Sequence, residues 1–394
     1  MPTLLQINVT ANWGSTGKIA EQIGLCVMSH GWKSYIAYGR DVNPSKNHLI
    51  KIGNIFDVYE HYAEGLILDN EGLASRRATK SLIKKIDDIK PDIVHLHNIH
   101  DHYLNYKLLF TYLNKTNIKV VWTFHDCWAF TGHCFHFVTK SCMKWETGCY
   151  DCPLVHDYPN TLLDRSRKNY ELKKTLFSSN KNLSIVSCSE WLGNFVRESF
   201  LKDKRINVIH NGIDINTFCP QEKKIKKEYC IIAISNVWDE KKGLLDVFKL
   251  RKMLPLDQFS ITMVGLSADQ IKKLPVGIIG IERTQNIHEL IDLYSNADVL
   301  INPTYADNFP TVNLEALACG TPVITYKTGG SPEAIDEKTG VVVEQGNVNA
   351  LEDAIVKLRE NPFVSSDCRQ RAVDYFDKDK CFEKYIELYE TLLV

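Results

Sequence analysis

Several features that would assign this chain to a familiar class are missing from its 394 residues. No apolar run is long enough to span the roughly 30 Å core of a bilayer. The formal net charge is only −1, so no overall positive field would hold the chain on nucleic acid. The first residues contain no basic segment ahead of an apolar one, so we expect no signal peptide. We find no internal repeat and no low-complexity segment.

The chain does have length, apolar content and cysteine. Hydrophobic residues make up 44% of it, which is enough for two domains of ordinary size. Several of the 12 cysteines, such as Cys188, Cys230 and Cys319, stand alone in apolar segments. That pattern favours the reducing cytosol over a disulfide framework, so we expect a cytoplasmic protein.

The most informative stretch covers residues 302–333. A buried strand is predicted just before it, and a short helix is predicted over residues 311–319, with Pro310 suited to its first position and Gly320 to its end. A second strand and a Gly-Gly turn then lead to another helix start. Two helix N-termini at one sheet edge would suit a phosphate.

Two carboxylates, Asp307 and Glu315, frame the first of these helices. Carboxylates would repel a phosphate, so we interpret them as hydrogen-bond acceptors for hydroxyl groups, one on a sugar and one on a ribose.

This stretch resembles the signature of the retaining glycosyltransferases of family 4, which have the GT-B fold. The signature has two acids separated by seven residues, a small-residue helix end, a PVI strand, and a Gly-Gly turn followed by Glu. The matching positions here are Asp307, Glu315, Gly320, Pro322–Ile324, Gly329, Gly330 and Glu333. The first acid is usually Glu, whereas this chain has Asp.

The resemblance implies an α/β fold with two facing Rossmann-like domains and a cleft between them. We expect an N-terminal acceptor domain over residues 1–210 with a cysteine-rich insert at 127–153, and a linker at 211–226. A donor domain at 227–375 would follow, and a last helix at 376–394 would cross back to the first domain.

The implied reaction moves a sugar, with retention, from a nucleotide-diphosphate sugar (UDP or GDP) to a glycan acceptor. Lipid-linked acceptors and surface polysaccharide assembly, as in capsule or lipopolysaccharide, are typical of such enzymes. Helix N-termini and Lys242 would supply the positive charge at the diphosphate, so no catalytic metal is expected. Alternatives are a nucleotide-sugar epimerase or a phosphorylase of the same architecture, and a zinc-ribbon module for nucleic acid, against which the pI near 6.9 argues.

The resemblance also assigns donor-binding residues. Lys242 matches the lysine that shares the charge of the diphosphate, but the family's arginine is replaced here by Asn236, a weaker neutral donor. A glycine loop between the first strand and a helix predicted from Lys18 would close over the diphosphate, or would only pack. The implied donor set is Gly14, Ser15, Gly17, Asn236, Lys242, Arg283, Thr284, Asn308, Phe309, Pro310, Thr311 and Glu315.

A histidine-rich segment follows the predicted strand at residues 93–97, at the sheet edge where open α/β sheets bind ligands. We predict that His100, Asp101, His102 and Tyr103 bind the acceptor sugar; a zinc site and a packing role are the alternatives. His125 ends the next predicted strand. By resemblance it contacts the transferred sugar and forms the catalytic pair with Asp307, while the leaving phosphate takes the acceptor proton.

The insert contains Cys134, Cys142, Cys149 and Cys152, with His133 and His136 nearby. A CxxC with two further thiols is typical of a structural zinc site, which would order a segment poor in aliphatic residues. His133 or His136 could substitute for one of the thiols, and reduced thiols or a disulfide pair are the alternatives to zinc. A basic helical face, with Arg76, Arg77, Lys80, Lys84 and Lys85, is either solvated or lies against anionic lipid at the inner face of the cytoplasmic membrane.

Overall fold

The computed structural model describes residues 1–394 and divides into two compact units. Unit 1 comprises Met1–Ile209 together with Phe382–Val394, and unit 2 comprises His210–Cys381. Each unit is a parallel sheet with helices packed on it, so the α/β class predicted from the sequence is confirmed. None of the helices is both long and apolar enough to cross a membrane.

Seven strands form the sheet of unit 1. They are β1 (Thr3–Asn8), β2 (Lys33–Tyr38), β3 (His48–Lys51), β4 (Ile93–Leu96), β5 (Lys119–Phe124), β6 (Leu183–Ser187) and β7 (Arg205–Val208). Their order is β3-β2-β1-β4-β5-β6-β7, and every pair is parallel. The strand order reverses between β1 and β4, which is where open α/β sheets form their ligand crevice.

Six helices connect these strands. They are α1 (Gly14–Ser29), α2 (Ile55–Leu68), α3 (Arg76–Ile89), α4 (Tyr106–Leu113), α5 (Ser166–Ser178) and α6 (Glu190–Glu198). The cysteine-rich segment between β5 and α5 contains only one-turn 3-10 helices, at Trp128–Phe130, Val138–Lys140 and Lys144–Glu146.

Unit 2 has a six-stranded sheet of the same kind. Its strands are β8 (Tyr229–Ile234), β9 (Phe259–Val264), β10 (Ile278–Ile281), β11 (Val299–Asn302), β12 (Val323–Tyr326) and β13 (Gly340–Val343). They are parallel in the order β10-β9-β8-β11-β12-β13, so this sheet reverses between β8 and β11. The carboxyl ends of β8, β11 and β12 therefore lie side by side.

The remaining helices are α7 (Leu244–Met253), α8 (Ala268–Ile271), α9 (Ile287–Ser295), α10 (Thr311–Ala318), α11 (Val348–Glu360), α12 (Ser365–Tyr375) and α13 (Lys378–Leu393). From Phe382 onward α13 belongs to the core of unit 1, where Tyr389 packs against Trp32 at a ring distance of 5.8 Å. The Tyr389 hydroxyl also lies 2.6 Å from Nδ1 of His95 on β4.

Three local expectations are wrong. Helix α1 begins at Gly14 rather than Lys18, so the predicted glycine loop is mostly the first turn of a helix. The Gly329–Gly330 turn leads to a single 3-10 turn, Ser331–Ala334, because the short connection to β13 leaves no room for a longer helix. The apolar spacing predicts a helix over residues 161–178, but α5 begins only at Ser166, because Thr161 and Arg165 are hydrogen-bonded to Asp69 instead.

Candidate active site

The strongest candidate site residues of unit 2 form an ion pair. Lys242 ends a one-turn 3-10 helix after β8, and Asp307 lies in the loop after β11, so neighbouring strands bring them to one sheet edge. Nζ of Lys242 lies 2.7 Å from Oδ2 of Asp307, and both side chains are partly exposed. A hydrogen bond of 2.7 Å from the Tyr305 N–H to the Lys241 carbonyl ties the two loops together. The pair is therefore held in place but accessible to a ligand.

Glycine allows the loop after β12 to approach the same place. Gly329 has a φ of +55°, and a Cβ on it would stand 1.7 Å from the Asp307 carbonyl oxygen, so no other residue fits. The Gly330 N–H donates to the Asn308 carbonyl at 3.1 Å. The Gly-Gly turn thus fixes the loop that contains Asp307.

Glu315 lies in α10 and is half-buried. The hydroxyl of Tyr294 in α9 donates to its Oε2 at 2.7 Å. Burial, followed by this carboxylate, raises the pKa of Tyr294 well above its usual value, so the phenol remains a donor. Tyr294 therefore orients the carboxylate, and the sequence alone did not single it out because a tyrosine in an amphipathic helix is usually a core residue.

The other predicted donor residues of unit 2 fall into two groups. Asn308 and Phe309 are buried in the loop before α10, Pro310 is the N-cap residue, and Thr311 is the first residue of the helix. Asn236, Arg283 and Thr284 lie in the loops that follow β8 and β10 at the same end of the sheet, with Asn236 and Arg283 exposed.

His210, which no sequence motif singles out, lies beside the loop that contains Phe309. Nε2 of His210 is 2.8 Å from Oε2 of Glu333, and the His210 ring packs on Phe309 at 4.8 Å. The pair links the start of unit 2 to the acidic residue of the Gly-Gly-x-x-Glu segment. No pattern in the sequence around His210 distinguishes it from other loop histidines.

In unit 1 the predicted glycine residues occupy the first turn of α1. Gly14 has a φ of +65°, and a Cβ on Gly17 would stand 2.5 Å from Oγ1 of Thr10. The first N–H groups of a helix have no partner within it, so Gly14 and Ser15 offer backbone donors at this point. Gly17 is the fourth helical residue, and its N–H lies in register with the Trp13 carbonyl, so it makes room for the turn instead of offering a donor. Trp13, just before the turn, is half exposed.

His125 follows β5 and stands at the end of a buried chain of hydrogen bonds. Its Nε2 lies 3.2 Å from Nδ1 of His97, which follows β4, and Nε2 of His97 lies 3.0 Å from Oε1 of Gln6 on β1. The Gln6 amide nitrogen donates to the Ala20 carbonyl at 2.8 Å. Three adjacent strands thus contribute one residue each.

These hydrogen bonds determine the tautomers of both His97 and His125. The Ala20 carbonyl can only accept, so Gln6 presents its oxygen to His97, and Nε2 of His97 must carry a proton. Burial lowers the pKa of His97 well below its usual value and that of His125 to about 4, so both rings are neutral near pH 7. Nδ1 of His97 then accepts, and His125 carries its proton on Nε2.

The pKa of the neighbouring His100 is raised rather than lowered. Burial opposes its charge, but Asp126 at 2.9 Å and Asp101 at 3.6 Å outweigh it and raise the pKa of His100 to about 10. Its ring stacks on Phe135 at 4.3 Å. His100 is therefore a buried imidazolium between two carboxylates, and its predicted contact with an acceptor would act through Asp101.

His102 borders the most suitable cavity of unit 1 for a small ligand. Its Nδ1 lies 2.7 Å from Oε2 of Glu71, and both residues line a cavity of about 130 Å³ together with Tyr62 and Tyr158. The hydroxyl of Tyr158 donates to Asp101. Polar groups of four different segments converge on this cavity.

The structure contradicts the prediction that Tyr103 binds an acceptor. The side chain is only 1% exposed, its ring fills the space that a Cβ on Gly39 would need, and its hydroxyl donates to the Asn98 carbonyl at 2.7 Å. Tyr103 is a core residue. Glu71, Tyr62 and Tyr158 border the cavity instead, and no sequence pattern connects the segments that contain them.

Comparison with known proteins identifies similar glycosyltransferases. Residues 26–217 match the family described as Glycosyltransferase Family 4, and residues 216–375 match that described as Glycosyl transferases group 1. The WcaC glycosyl transferase of Escherichia coli K12, assigned to colanic acid biosynthesis, is 24% identical, and the match covers 99% of this chain and 100% of that protein.

Two solved structures show the same fold. Sucrose-phosphate synthase from Thermosynechococcus elongatus has a TM-score of 0.74 at 17% identity, covering 100% of this chain and 99% of that one. Anabaena HepE in complex with UDP has a TM-score of 0.67 at 14% identity, covering 99% and 100%. The two family matches together span nearly the whole chain, and each of the two units has the expected parallel sheet. The protein belongs to the family 4 glycosyltransferases of the GT-B fold.

Proposed function

We propose that this enzyme transfers a sugar, with retention of configuration, from a nucleotide-diphosphate sugar to a glycan acceptor in the assembly of a surface polysaccharide. The observation that carries the proposal is the Lys242–Asp307 pair at the carboxyl edge of the unit 2 sheet. It offers a cation for a diphosphate and a carboxylate for sugar hydroxyls within 3 Å of one another. The similarity to WcaC supports the polysaccharide, and the similarity to HepE supports UDP as the nucleotide.

The donor subsite is assigned to unit 2. Lys242 and the first N–H groups of α10, which begins at Thr311, provide positive charge for the diphosphate. Glu315, oriented by Tyr294, is placed to accept hydrogen bonds from a ribose. On this proposal no divalent cation is required at the diphosphate.

The acceptor subsite is assigned to unit 1, in the cavity bordered by Glu71, His102 and Tyr158. Carboxylate, imidazole and phenol groups can together accept and donate hydrogen bonds to several sugar hydroxyls. His125 lies in the same unit, and we assign it to the transferred sugar rather than to the acceptor.

A donor screen tests the proposal. UDP, GDP, ADP and CDP are added separately, and the melting temperature is followed. A ligand at about 100 times its Kd stabilises a protein by about 2.7 kcal/mol, which raises the melting temperature on the order of 5 °C. We expect this response for UDP, and for the matching UDP-sugar in the presence of a glycan acceptor we expect turnover.

The anomeric configuration of the first product, determined by NMR, then decides the stereochemistry. An α-linked donor should give an α-linked product. An inverted product would contradict retention, and no response to any of the four nucleotides would contradict the donor class.

We also propose that unit 1 contacts an anionic membrane, where a lipid-linked acceptor would be located. On α2, Ile55, Phe56, Tyr59 and Tyr62 follow the spacing of one helical face and are all more than half exposed. Leu162 joins this face, because its N–H donates to the Leu66 carbonyl. We call this exposed set the α2 apolar face.

Positive charge lies next to the α2 apolar face. Arg76 at the start of α3 is 3.4 Å from Glu64 of α2, and α3 also exposes Arg77, Lys80, Lys84 and Lys85. An apolar stripe beside basic residues is the pattern of a helix that lies in the membrane interface. Tyr62 belongs both to the stripe and to the acceptor cavity, so an acceptor could reach the cavity from the lipid surface.

Removing the aromatic rings from this face should weaken membrane binding. We expect Phe56→Ser combined with Tyr59→Ser to reduce binding to vesicles containing phosphatidylglycerol on the order of tenfold or more, because each buried aromatic side chain contributes about 1.5–3 kcal/mol. Co-sedimentation measures the effect. Val276→Ser is the control, since Val276 is also exposed but lies in unit 2. Equal binding by all three proteins would contradict the membrane proposal.

A further inference from the structure

The cysteine-rich segment of unit 1 surrounds a second cavity, which neither the donor nor the acceptor subsite uses. Its wall includes His133, Cys134, Cys142, Cys149 and Cys152. The cavity has a volume of about 10 Å³, which is room for one occupant about the size of a water molecule. Side chains that carry nitrogen or sulfur atoms thus surround a space large enough for one atom-sized occupant.

His133 supplies the observation that points to a metal. Its Nδ1 lies 2.7 Å from Oδ1 of Asp69, and both side chains are almost completely buried. Its Nε2 is buried at the cavity wall without a hydrogen-bond partner. An unpartnered buried nitrogen is costly, and an imidazole that donates one N–H to a carboxylate is the usual arrangement of a metal-ligating histidine.

Backbone N–H groups point at two of the sulfurs. The Gly132 N–H donates to Sγ of Cys149 at 3.1 Å, and the Leu154 N–H donates to Cys152. The Cys152 thiol is also in hydrogen-bond contact with that of Cys134. Glycine is required at position 132, because a Cβ there would stand 2.7 Å from Cβ of Cys149.

A buried lysine lies close by. Nζ of Lys173 donates to the carbonyls of Trp128 and Thr131 at 2.7 and 3.1 Å, and it lies 3.4 Å from the centre of the Trp128 ring. A zinc ion with three thiolates and one neutral imidazole has a net charge of −1. A lysine ammonium at this place would stabilise such a centre, since opposite charges attract strongly in a buried environment.

We propose that this cavity holds one zinc ion, bound by the thiolates of Cys134, Cys149 and Cys152 and by Nε2 of His133. Four protein ligands leave no open position, so the site is structural rather than catalytic. In the structure no three of these ligand atoms all lie within 4.8 Å of one another, so the metal would draw them inward. Sequence spacing alone favoured Cys142 as the fourth ligand; the unpartnered nitrogen of His133 changes that assignment.

The metal would fix the wall of the site beside His125. Asp126, the next residue, accepts from the Trp128 N–H at 2.8 Å, and His100 packs between Trp128 and Phe135. Residues 128–135 thus connect the proposed zinc ligands to the buried histidines. Loss of the metal should lower the stability of unit 1 and turnover without changing nucleotide binding in unit 2.

Elemental analysis of protein purified without a metal-binding tag and without added metal is the first test. We expect about one equivalent of zinc. Less than about a tenth of an equivalent in fully active protein would overturn the proposal, and so would a Cys134–Cys152 disulfide found by mass spectrometry in freshly purified protein. This measurement does not depend on whether any variant folds.

Single variants then test the ligand set. In the presence of a competing chelator, Cys149→Ser and His133→Asn should each lower zinc content at least tenfold and lower the melting temperature. Cys142→Ser and Cys188→Ser are the matched controls, since one lies at the same cavity wall and the other is buried elsewhere in unit 1. Zinc retained by His133→Asn but lost from Cys142→Ser would overturn the assignment of His133.

Discussion

Lys242→Met is expected to lower kcat/KM on the order of 100- to 1000-fold, because it removes the cation assigned to the charge that develops on the leaving diphosphate. The methionine side chain has a similar length and keeps the apolar contacts of the lysine stem. The arginine of the family signature is Asn236 here, so no arginine at that position shares the charge. The departing diphosphate would therefore lose its main charged partner.

Calorimetry with the nucleoside diphosphate and with the nucleoside separates charge from base recognition. Lys242→Met should weaken binding of the diphosphate on the order of tenfold or more, since a hydrogen bond to a charged group contributes about 1.5–3 kcal/mol. Binding of the nucleoside should not change. Lys241→Met is the comparison, because Lys241 lies in the same 3-10 turn but is not the lysine that pairs with Asp307. If both variants lose the same affinity, Lys242 has been assigned wrongly.

The grouping of the donor-site candidates at one sheet edge could be predicted because these residues are close together in the sequence. Asp307, Glu315 and Gly329 lie within one strand–helix–strand unit, so local turn and helix rules already place them at one edge of a sheet. Lys242 required the parallel order of β8 and β11, which the Rossmann-like pattern also implies. Local rules could not predict hydrogen-bond partners that come from other elements. Examples are Tyr294, which donates to Glu315, and His210, which pairs with Glu333.

The acceptor half could be predicted only in part, because its residues are distant in the sequence. Polar residues after β4 indicated a site, but the segment does not show which side chains turn inward. His102 borders the cavity, whereas Tyr103 turns into the core below Gly39. Asp101 and His102 have positive φ angles, which are uncommon outside glycine even for Asp and His, so local rules did not predict this reversal.

Amino-acid composition predicted the packing of the cysteine-rich segment only in part. Its scarcity of aliphatic residues suggested that it has no core of its own. In the structure Phe130, Phe137 and Trp145 pack together and against Phe195 of α6. Aromatic packing therefore stabilises one side of the segment, and the proposed zinc ion is needed only on the other side, around His133 and Cys149.

The pH dependence of unit 1 follows from its two kinds of buried histidine. Burial lowers the folded-state pKa of His125 to about 4, whereas the unfolded chain binds the proton near 6.5. The unfolded state therefore binds more protons between these values, and this group costs stability as pH falls from 6.5 toward 4. His100, with its pKa raised to about 10, contributes stability that is complete below 6.5 and is lost as pH rises through 10.

The last prediction follows from the chain of hydrogen bonds that joins Gln6, His97 and His125. Its neutral rings fix the proton of His125 on Nε2, so Nδ1 is the atom that can accept from a hydroxyl of the transferred sugar. Long-range ¹⁵N–¹H spectra of the wild-type protein should show His125 as the Nε2-protonated tautomer near pH 7. A proton on Nδ1 would contradict the whole chain of assignments, whatever the activity of any variant.

Loss of either histidine should then affect turnover and not donor binding. We expect His125→Ala to lower kcat on the order of 100-fold or more, as removal of an oriented polar group from a reaction centre does. His97→Leu should lower kcat by about tenfold, because it leaves the His125 ring without the acceptor that orients it. His95→Gln is the control, since His95 is equally buried on β4 but bonds to Thr123 and Tyr389. It should lower the melting temperature and leave kcat within about twofold. If His97→Leu leaves kcat as high as His95→Gln does, His97 has only a packing role. If His125→Ala loses affinity for the nucleoside diphosphate, His125 belongs to the donor subsite instead.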